Sequence, residues 1–235
     1  MKTIVVLSGG IDSTTLLHYA KAIGYEVYGI SFNYGQKHSK ELKYAEYWGK
    51  KLCKEWKLID ISFMKEITSS SSLTNPEKEI PESHYTEETQ KQTVVPNRNM
   101  VFLSIAIAWA EDIKAEKVFY GAHLNDYTIY PDCRKEFVEK LNETSQIGTY
   151  NKIKVEAPFI NLKKWQIVSL GKKLGVDYNK TWSCYKGEER PCLKCGTCIE
   201  RTEAFLKANL KDPLLTEEEW RKAVEIFEKS LQNKL

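Results

Sequence analysis

The chain has 235 residues, of which 42% are hydrophobic and 29% charged, and its net charge is +3. These values are typical of one globular domain, or of one domain with a small appendage, and so weak a positive charge gives no argument for nucleic-acid binding. The longest apolar block, residues 100–110, is far shorter than the roughly 20 residues of a membrane span, and the first residues show no signal-peptide pattern. We therefore expect a cytoplasmic protein without nucleic-acid or membrane partners, whose six cysteines are reduced or metal-bound.

Alternating apolar segments and helical patterns predict an α/β fold. We predict strands at 2–7, 25–32, 58–61, 117–121 and 153–157. Helices are predicted from the first strand to about residue 23, and at 39–56, 100–110, 135–148 and 162–174, with a last helix opened by a capping box at 216–219. The first strand is apolar enough for burial on both faces. The pattern predicts a doubly wound, mainly parallel five-stranded sheet with helices on both faces, followed by a small C-terminal helical region.

Two segments depart from this alternation. Residues 67–95 contain four consecutive serines and two prolines, and they show neither a helical nor a strand period. We interpret them as a mobile surface loop, with a lid over a substrate as the functional alternative. The C-terminal helix carries an apolar stripe that we interpret as core or dimer packing: Trp220, Ala223, Val224, Phe227 and Leu231.

The segment between the first strand and the first helix, residues 8–13 (the glycine turn), has the sequence Ser-Gly-Gly-Ile-Asp-Ser. Two glycines allow a sharp turn and a close approach to a ligand. The N–H groups at the start of the helix, with the helix dipole, form an anion site suited to phosphate. Ser8 and Ser13 can add hydroxyl donors. The simpler alternative is a βα turn in which Ser13 is the helix N-cap.

The glycine turn is neither a Walker-type P-loop nor a dinucleotide fingerprint, because the Gly-Lys-Ser/Thr and Gly-x-Gly-x-x-Gly patterns are missing. It resembles the PP-loop of N-type ATP pyrophosphatases, which split ATP between the α and β phosphates and adenylate a carbonyl or carboxylate. The resemblance implies that ATP is bound by Leu7, Ser8, Gly9, Gly10, Ile11, Asp12, Ser13, Thr14, Thr15, Leu16 and Leu17.

Four cysteines near the C-terminus have the spacing of a metal site: Cys184, Cys192, Cys195 and Cys198. Structural zinc takes four ligands and leaves no open position, and Gly187 and Gly196 can supply turns between ligands. An iron–sulfur cluster is the rival, but Thr202 stands where a ferredoxin run has its fourth cysteine. Disulfides are disfavoured by the expected compartment. We expect one structural zinc ion per chain.

Several polar residues follow the predicted strands on the ligand side of the sheet. Asp132 can accept hydrogen bonds from a guanine-like ring, and Arg134 can hold a carboxylate with two parallel bonds. The alternative is an N-cap at Asp132 and a solvated Arg134. Cys133 is expected to be a small buried side chain rather than a nucleophile. The cations best placed to meet phosphates are Arg98 and Lys164, with Lys37 and Lys163 as weaker candidates; His38 and His123 lie on loops of the same side, and neither is assigned as a base.

Several motifs jointly resemble the 7-cyano-7-deazaguanine synthase family of the queuosine pathway, over residues 2 to about 205. They are the glycine turn, Tyr34-Gly35-Gln36-Lys37-His38, Val95-Pro96-Asn97-Arg98-Asn99, Asp126-Tyr127, Tyr130-Pro131-Asp132-Cys133-Arg134, Thr181-Trp182-Ser183-Cys184-Tyr185 and the cysteine trio. The resemblance implies a ligase that converts 7-carboxy-7-deazaguanine, ammonia and ATP into the nitrile. The acid and then the amide would be activated by adenylation.

The resemblance also implies roles for individual residues. Catalysis would fall to Ser8, Asp12, Ser13, Arg98 and Lys164, with Asp12 orienting the loop or a magnesium ion. Substrate binding would fall to Tyr34, Gln36, Asp126, Asp132 and Arg134. Residues 1–180 would form the PP-loop domain, and residues 181–235 a zinc-binding helical region packed on it. We expect a homodimer, supplied with ammonia as free ammonium or by a partner protein.

Two departures from the family pattern concern the substrate pocket. Thr128-Ile129 replaces the usual Ser-Gly, and Ala122-His123-Leu124-Asn125 replaces more apolar and smaller residues. The alternative functions are a PP-loop tRNA-modifying enzyme of the thiolation or lysidine type, and a non-enzymatic sensor of adenine nucleotides.

Overall fold

The computed structural model describes residues 1–37, 39–82 and 91–232. His38 and residues 83–90 of the predicted loop lie outside this part of the chain. The strands are β1 Lys2–Val6, β2 Glu26–Asn33, β3 Glu55–Asp60, β4 Lys117–Phe119 and β5 Lys154–Glu156. The helices are α1 Ile11–Ala22, α2 Lys40–Leu52, α3 Met64–Ile67, α4 Arg98–Asp112, α5 Lys135–Gly148, α6 Lys164–Lys173, α7 Gly196–Lys207 and α8 Glu217–Gln232.

The five strands form one parallel sheet in the order β3-β2-β1-β4-β5. The chain leaves β1 toward β2 and β3 on one side, and later returns to place β4 and β5 on the other. The order therefore reverses between β1 and β4, where Val5 pairs with Phe119. Open α/β sheets bind ligands outside the carboxyl ends of the strands at such a point. The glycine turn follows β1 and so lies at this crevice.

Helices cover both faces of the sheet, as predicted. Ile4 and Val5 are neighbours in β1, so their side chains point to opposite faces, and neither is exposed to solvent. Ile4 belongs to the core that includes Phe102 of α4, whereas Val5 belongs to the core that includes Leu16 of α1. Burial on both faces explains why β1 is a continuous apolar run instead of an alternating one.

The predicted helix 39–56 is wrong at its end. The helix stops at Leu52, and β3 begins at Glu55 rather than near Leu58. Trp56, which has helical spacing in the sequence, is a strand residue whose indole Nε1–H donates to the Ser31 hydroxyl at 2.9 Å. A Cβ on Gly49 of α2 would lie 2.3 Å from the Trp56 ring, so the glycine allows this close packing. Cys53, expected on the helix, is its extended C-cap residue.

The prediction of a mobile surface loop is wrong for residues 71–74, which are at most 4% exposed. Leu73 belongs to the core cluster that contains Ile4. The Thr68 hydroxyl donates to the Met64 carbonyl and the Thr74 hydroxyl to the Thr68 carbonyl, both at 2.7 Å. Such local side-chain bonds satisfy hydroxyl groups without water, which lets a polar segment be buried.

The C-terminal helices pack on the rest of the chain. Phe205 of α7 shares a buried cluster with Ile11 of α1 and Val168 of α6. Ala223 and Phe227 of the apolar stripe on α8 are buried within the chain itself, so at these positions the stripe is core packing. In the part of the chain that the structure describes, no helix is both long and apolar enough to cross a membrane.

Candidate functional site

The glycine turn bends where Gly9 adopts a left-handed conformation, with φ +85°. A Cβ at Gly9 would lie 2.3 Å from the Glu41 carbonyl oxygen and 2.7 Å from the Ala45 nitrogen, both in the backbone of α2. Only glycine tolerates this φ and this proximity at low cost. The Trp182 N–H donates to the Gly9 carbonyl at 3.0 Å, so the turn is held from two sides.

Hydrogen bonds between Ser8 and Ser13 stabilise the glycine turn. The Ser8 N–H donates to the Ser13 hydroxyl at 3.1 Å, and the two hydroxyl oxygens are 3.0 Å apart. Gly10, not Ser13, is the N-cap of α1, and it makes no side-chain cap bond. Ser13 lies inside the first turn of the helix, so the interpretation of Ser13 as N-cap is wrong. The N–H groups of Ile11, Asp12 and Ser13, in this first turn of α1, donate to no carbonyl in the described part of the chain and remain donors for a ligand.

A cavity of about 240 Å³ opens beside the glycine turn. This volume is near the lower end of small-molecule sites, which run from about 300 to 1,000 Å³. The cavity is lined by these predicted site residues: Leu7, Ser8, Gly10, Ile11, Asp12, Ser13, Tyr34, Arg98, Asp126 and Lys164. It is not lined by these: Gly9, Thr14, Thr15, Leu16, Leu17, Gln36, Asp132 and Arg134.

One wall of the cavity is charged. The Lys164 ammonium lies 3.2 Å from an Asp12 carboxylate oxygen and 2.9 Å from a Glu200 carboxylate oxygen. Burial would raise the pKa of the Asp12 carboxyl, but Lys164 and His123 together lower it well below its usual value, so Asp12 is ionised. Burial would lower the pKa of Lys164, and the neighbouring carboxylates raise it instead. Lys164 is therefore a cation already shared by two carboxylates.

His123 completes the charged wall and is only 2% exposed. Its Nε2 lies 3.6 Å from an Asp12 oxygen and 3.5 Å from an Asp126 oxygen. Burial lowers the pKa of His123, but Asp126 and Asp12 outweigh it and raise the pKa to about 9. The sequence indicated only that His123 lies on the ligand side, and it gave no sign that Glu200, two residues beyond Cys198, belongs to this site.

A second part of the cavity lining, the aromatic wall, contains Phe32, Tyr34, Phe102 and Tyr130. Phe32 and Phe102 stack with ring centroids 4.2 Å apart and planes 12° from parallel. The Arg98 guanidinium lies 5.5 Å from the centroid of the Tyr34 ring and donates to the Tyr34 hydroxyl at 3.3 Å. Burial raises the pKa of Tyr34 to about 12 despite the nearby Arg98, so Tyr34 is a neutral phenol. Tyr130 adds a further ring to this aromatic wall.

Three predicted substrate ligands serve the scaffold in this structure. The Gln36 side chain accepts from the Tyr34 N–H at 2.8 Å and donates to the Phe32 carbonyl at 3.3 Å. An Asp132 oxygen accepts from the Asn99 N–H at 2.9 Å, in the first turn of α4. The Arg134 Nε–H donates to the Tyr127 carbonyl at 3.1 Å, outside the cavity lining.

Among the residues that depart from the family pattern, Ala122, His123 and Asn125 line the cavity. Thr128 is exposed and Ile129 half-buried, and neither lines the cavity. The bulk of Ile129 therefore does not narrow it. Cys133 does line the cavity, but burial raises the pKa of its thiol well above the usual value, which disfavours a thiolate nucleophile.

The four cysteines lie together as a cluster whose sulfur atoms are all within 4.8 Å of one another. The Cys195 and Cys198 sulfurs are 3.5 Å apart, and the Cys192 and Cys198 sulfurs 4.0 Å apart. A tetrahedral zinc site with bonds of about 2.3 Å requires sulfurs about 3.8 Å apart, so the cluster has the size of such a site. Gly187 supplies a turn between ligands, as predicted, with φ +64°, and Leu193 supplies another with the same φ, whereas Gly196 is the first residue of α7.

Trp182 connects the cysteine cluster to the glycine turn. Its indole Nε1–H donates to the Cys184 carbonyl at 2.9 Å, while its backbone N–H holds Gly9. Arg201 of α7 supports the same segment by donating to the Thr181 hydroxyl at 2.9 Å. The Arg201 guanidinium also donates to both carboxylate oxygens of Asp212, at 2.6 and 2.9 Å, and this ion pair balances the buried charge of Arg201.

Comparison with known proteins gives consistent matches over nearly the whole chain. The family model described as "Queuosine biosynthesis protein QueC" matches residues 2–209. A protein of Archaeoglobus fulgidus named 7-cyano-7-deazaguanine synthase is 53% identical over 229 residues, covering 97% of this chain and 95% of the relative. A protein of the same name from Caldicellulosiruptor saccharolyticus is 55% identical over 214 residues, covering 91% of this chain and 95% of the relative.

Among solved structures, NMN synthetase from Francisella tularensis aligns over 97% of this chain and 84% of its own, with a TM-score of 0.52 and 15% identity. At this identity the match shows a shared fold. The match of the family model and the identity to curated relatives go further than the fold. They show that the chain belongs to the QueC family.

Proposed function

We propose that this chain is an ATP-dependent C–N ligase that converts 7-carboxy-7-deazaguanine and ammonia into 7-cyano-7-deazaguanine. The observation that carries the proposal is one cavity that joins the glycine turn and its charged wall to an aromatic wall. The names of the Archaeoglobus and Caldicellulosiruptor relatives supply the substrate class. A phosphate-binding turn facing stacked aromatic rings is what an enzyme that joins a triphosphate to a flat heterocycle needs.

The glycine turn would hold the leaving pyrophosphate. A carboxylate oxygen of the substrate attacks the α-phosphorus, the bond to the β-phosphate bridging oxygen breaks, and an acyl adenylate and pyrophosphate result. Negative charge grows on the pyrophosphate, next to the N–H groups of α1, the hydroxyls of Ser8 and Ser13, and Lys164. Donors fixed in advance for developing charge are the main source of catalysis in such a site.

Ammonia then attacks the acyl carbon, and the C–O bond to AMP breaks, which gives the amide. The amide oxygen attacks the α-phosphorus of a second ATP and releases pyrophosphate. Loss of both protons of the amide nitrogen and cleavage of the C–O bond to AMP then leave the nitrile. Each turn of the cycle therefore consumes two ATP and releases two AMP and two pyrophosphates. The charged wall would supply the acidic and basic groups for these proton transfers, from Asp12, His123 and Lys164.

The residues present fit two metal ions. The cysteine cluster would hold one structural zinc ion, which stabilises the fold and takes no part in the reaction. The Asp12 Oδ1 atom is buried and, among the described residues, has no hydrogen-bond partner, so it is a free hard ligand for magnesium. Magnesium would supply charge neutralisation at the phosphates. We also propose the division at residue 180, the homodimer and the cytoplasmic location, which rest on the sequence.

The test is to incubate the protein with ATP, ammonium and 7-carboxy-7-deazaguanine and to follow the mass of the heterocycle and the release of AMP. We expect nitrile and AMP from the wild type. Asp12→Asn should lose turnover about 100-fold or more, because it removes the charged oxygen proposed for magnesium and the ion pair that orients Lys164. Asp112→Asn, the same change at an exposed position of α4, is the control. Salt-dependent tRNA binding without nitrile formation would favour a tRNA-modifying enzyme instead.

A further inference from the structure

Arg98 is a cation at the cavity that forms no ion pair with any residue the structure describes. It opens α4, and its guanidinium lies over the Tyr34 and Phe102 rings, at 5.5 and 5.8 Å from their centroids. Its only side-chain hydrogen bond within the described part of the chain goes to the Tyr34 hydroxyl, at 3.3 Å. A guanidinium carries five N–H donors, so most of its hydrogen-bonding capacity remains for a ligand.

Two other cations of this region, the half-buried Lys164 and the buried Arg201, form ion pairs. Lys164 has Asp12 and Glu200, and Arg201 has Asp212. No ion pair joins Arg98 to a carboxylate among residues 1–37, 39–82 and 91–232. The Asp132 carboxylate attracts the half-buried Arg98 charge without forming an ion pair with it. Binding sites retain a cation without a direct partner where a ligand supplies the second charge. The unpaired Arg98 therefore indicates that an anion binds on the aromatic wall.

The position of Arg98 in the cavity indicates which anion it binds. The phosphates of ATP have the glycine turn and Lys164 on the charged wall, whereas Arg98 lies among the rings of the aromatic wall, where a flat heterocycle would stack. A carboxylate conjugated with such a ring is planar, and the guanidinium fork binds a planar carboxylate through two parallel hydrogen bonds. Arg134, the other arginine considered for this task, donates to the Tyr127 carbonyl outside the cavity.

We propose that Arg98 binds the carboxylate of the substrate acid and so selects the acid over the amide for the first adenylation. This inference rests on the proposed function. One carboxylate oxygen stays on the guanidinium while the other attacks the α-phosphorus. The amide intermediate is uncharged, so ring stacking holds it without help from the Arg98 charge. Arg98 is thus a residue that determines specificity for the charged substrate, not one that binds phosphate.

The test is equilibrium binding of three ligands to the full chain: 7-carboxy-7-deazaguanine, the corresponding amide, and α,β-methylene-ATP, which cannot be split at the α–β bond. Arg98→Gln should weaken binding of the acid about 10- to 100-fold, the range for a lost hydrogen bond to a charged group. Binding of the amide and of the ATP analogue should change less than about threefold. Arg98→Lys keeps the charge without the fork and should lie between Arg98→Gln and the wild type. Arg221→Gln, at an exposed position of α8, is the control for charge.

Several outcomes would overturn the inference. Equal weakening of acid and amide would make Arg98 a structural support of the aromatic wall, and weakening of the ATP analogue alone would make it a phosphate ligand. Loss of acid binding in Arg134→Gln but not in Arg98→Gln would move the carboxylate site to Arg134. If the wild type itself bound neither acid nor amide, the proposed function would fall, whereas tight wild-type binding with no effect of Arg98→Gln would remove only this inference.

Discussion

Alanine at Gly9 tests how much the close packing of the glycine turn against α2 contributes to stability. Gly9 has φ +85°, and an added Cβ would lie 2.3 Å from the Glu41 carbonyl oxygen. Gly24 at the end of α1 has nearly the same φ, +91°, but a Cβ there would meet nothing within 4 Å. The two positions thus share backbone strain and differ in space. Alanine at each, compared in one protein, separates the two effects.

The magnitudes follow from this difference. A left-handed non-glycine residue costs about 1 to 2 kcal/mol, partly offset by the reduced entropy of the unfolded chain, so Gly24→Ala should destabilise by about 1 kcal/mol. Gly9→Ala adds the cost of forcing the backbone of the glycine turn away from that of α2, about 1 to 3 kcal/mol. Its total is about 2 to 4 kcal/mol, a difference that urea unfolding resolves.

Gly9→Ala should weaken nucleotide binding as well as stability, whereas Gly24→Ala should lower stability alone. A displaced turn no longer presents its N–H groups to the phosphates, and a displacement of about 1 Å can cost 100-fold. We expect the Kd of the non-cleavable ATP analogue to rise about 10- to 100-fold in Gly9→Ala and to stay constant in Gly24→Ala. Equal destabilisation by both substitutions, or unchanged nucleotide binding in Gly9→Ala, would refute the reasoning that the turn is clamped against α2.

Two further predictions concern the C-terminal region. Metal analysis of the purified wild type should give one zinc per chain, and Cys195→Ser should lose both the zinc and thermal stability; a stable variant that retains zinc, or a wild type that contains iron, would contradict the zinc assignment. Asp212→Asn should lower the free energy of unfolding by about 3 to 5 kcal/mol, because it leaves Arg201 buried without its partner. Glu225→Gln, which breaks the exposed pair with Lys229, should cost less than about 1 kcal/mol, and similar losses in both variants would contradict the argument.

The sequence predicted the fold where its signals are local. The five strands, the helix 135–148 and the bend after β1 follow from apolar runs, helical spacing and paired glycines, and the structure confirms them. The boundary between α2 and β3 was wrong because the position of Trp56 satisfies a helical period, while its contacts with Gly49 and Ser31 come from elsewhere in the fold. Tertiary packing decided a boundary that periodicity left ambiguous.

The sequence predicted those parts of the site whose residues all lie in one short motif. The glycine turn and the cysteine cluster are each nearly contiguous in sequence, so their spacing indicates their geometry. The charged wall joins Asp12, His123, Lys164 and Glu200, which are far apart in the chain. Asp12 and His123 meet because β1 and β4 are adjacent, and Lys164 and Glu200 are brought to them by the packing of α6 and α7. The choice between two arginines as the carboxylate ligand likewise depends on which one faces the cavity, and no local pattern contains that information.

The most direct test of the central claim follows the oxygen atoms of the substrate acid. If the carboxylate and then the amide oxygen attack the α-phosphorus of ATP, both oxygens must leave on AMP. With 7-carboxy-7-deazaguanine labelled with ¹⁸O at both carboxylate positions, mass spectrometry should find two AMP per nitrile, each carrying one ¹⁸O. Unlabelled AMP, or ¹⁸O in inorganic phosphate accompanied by ADP, would show that ATP is not split at the α-phosphorus by the substrate, and would contradict the account.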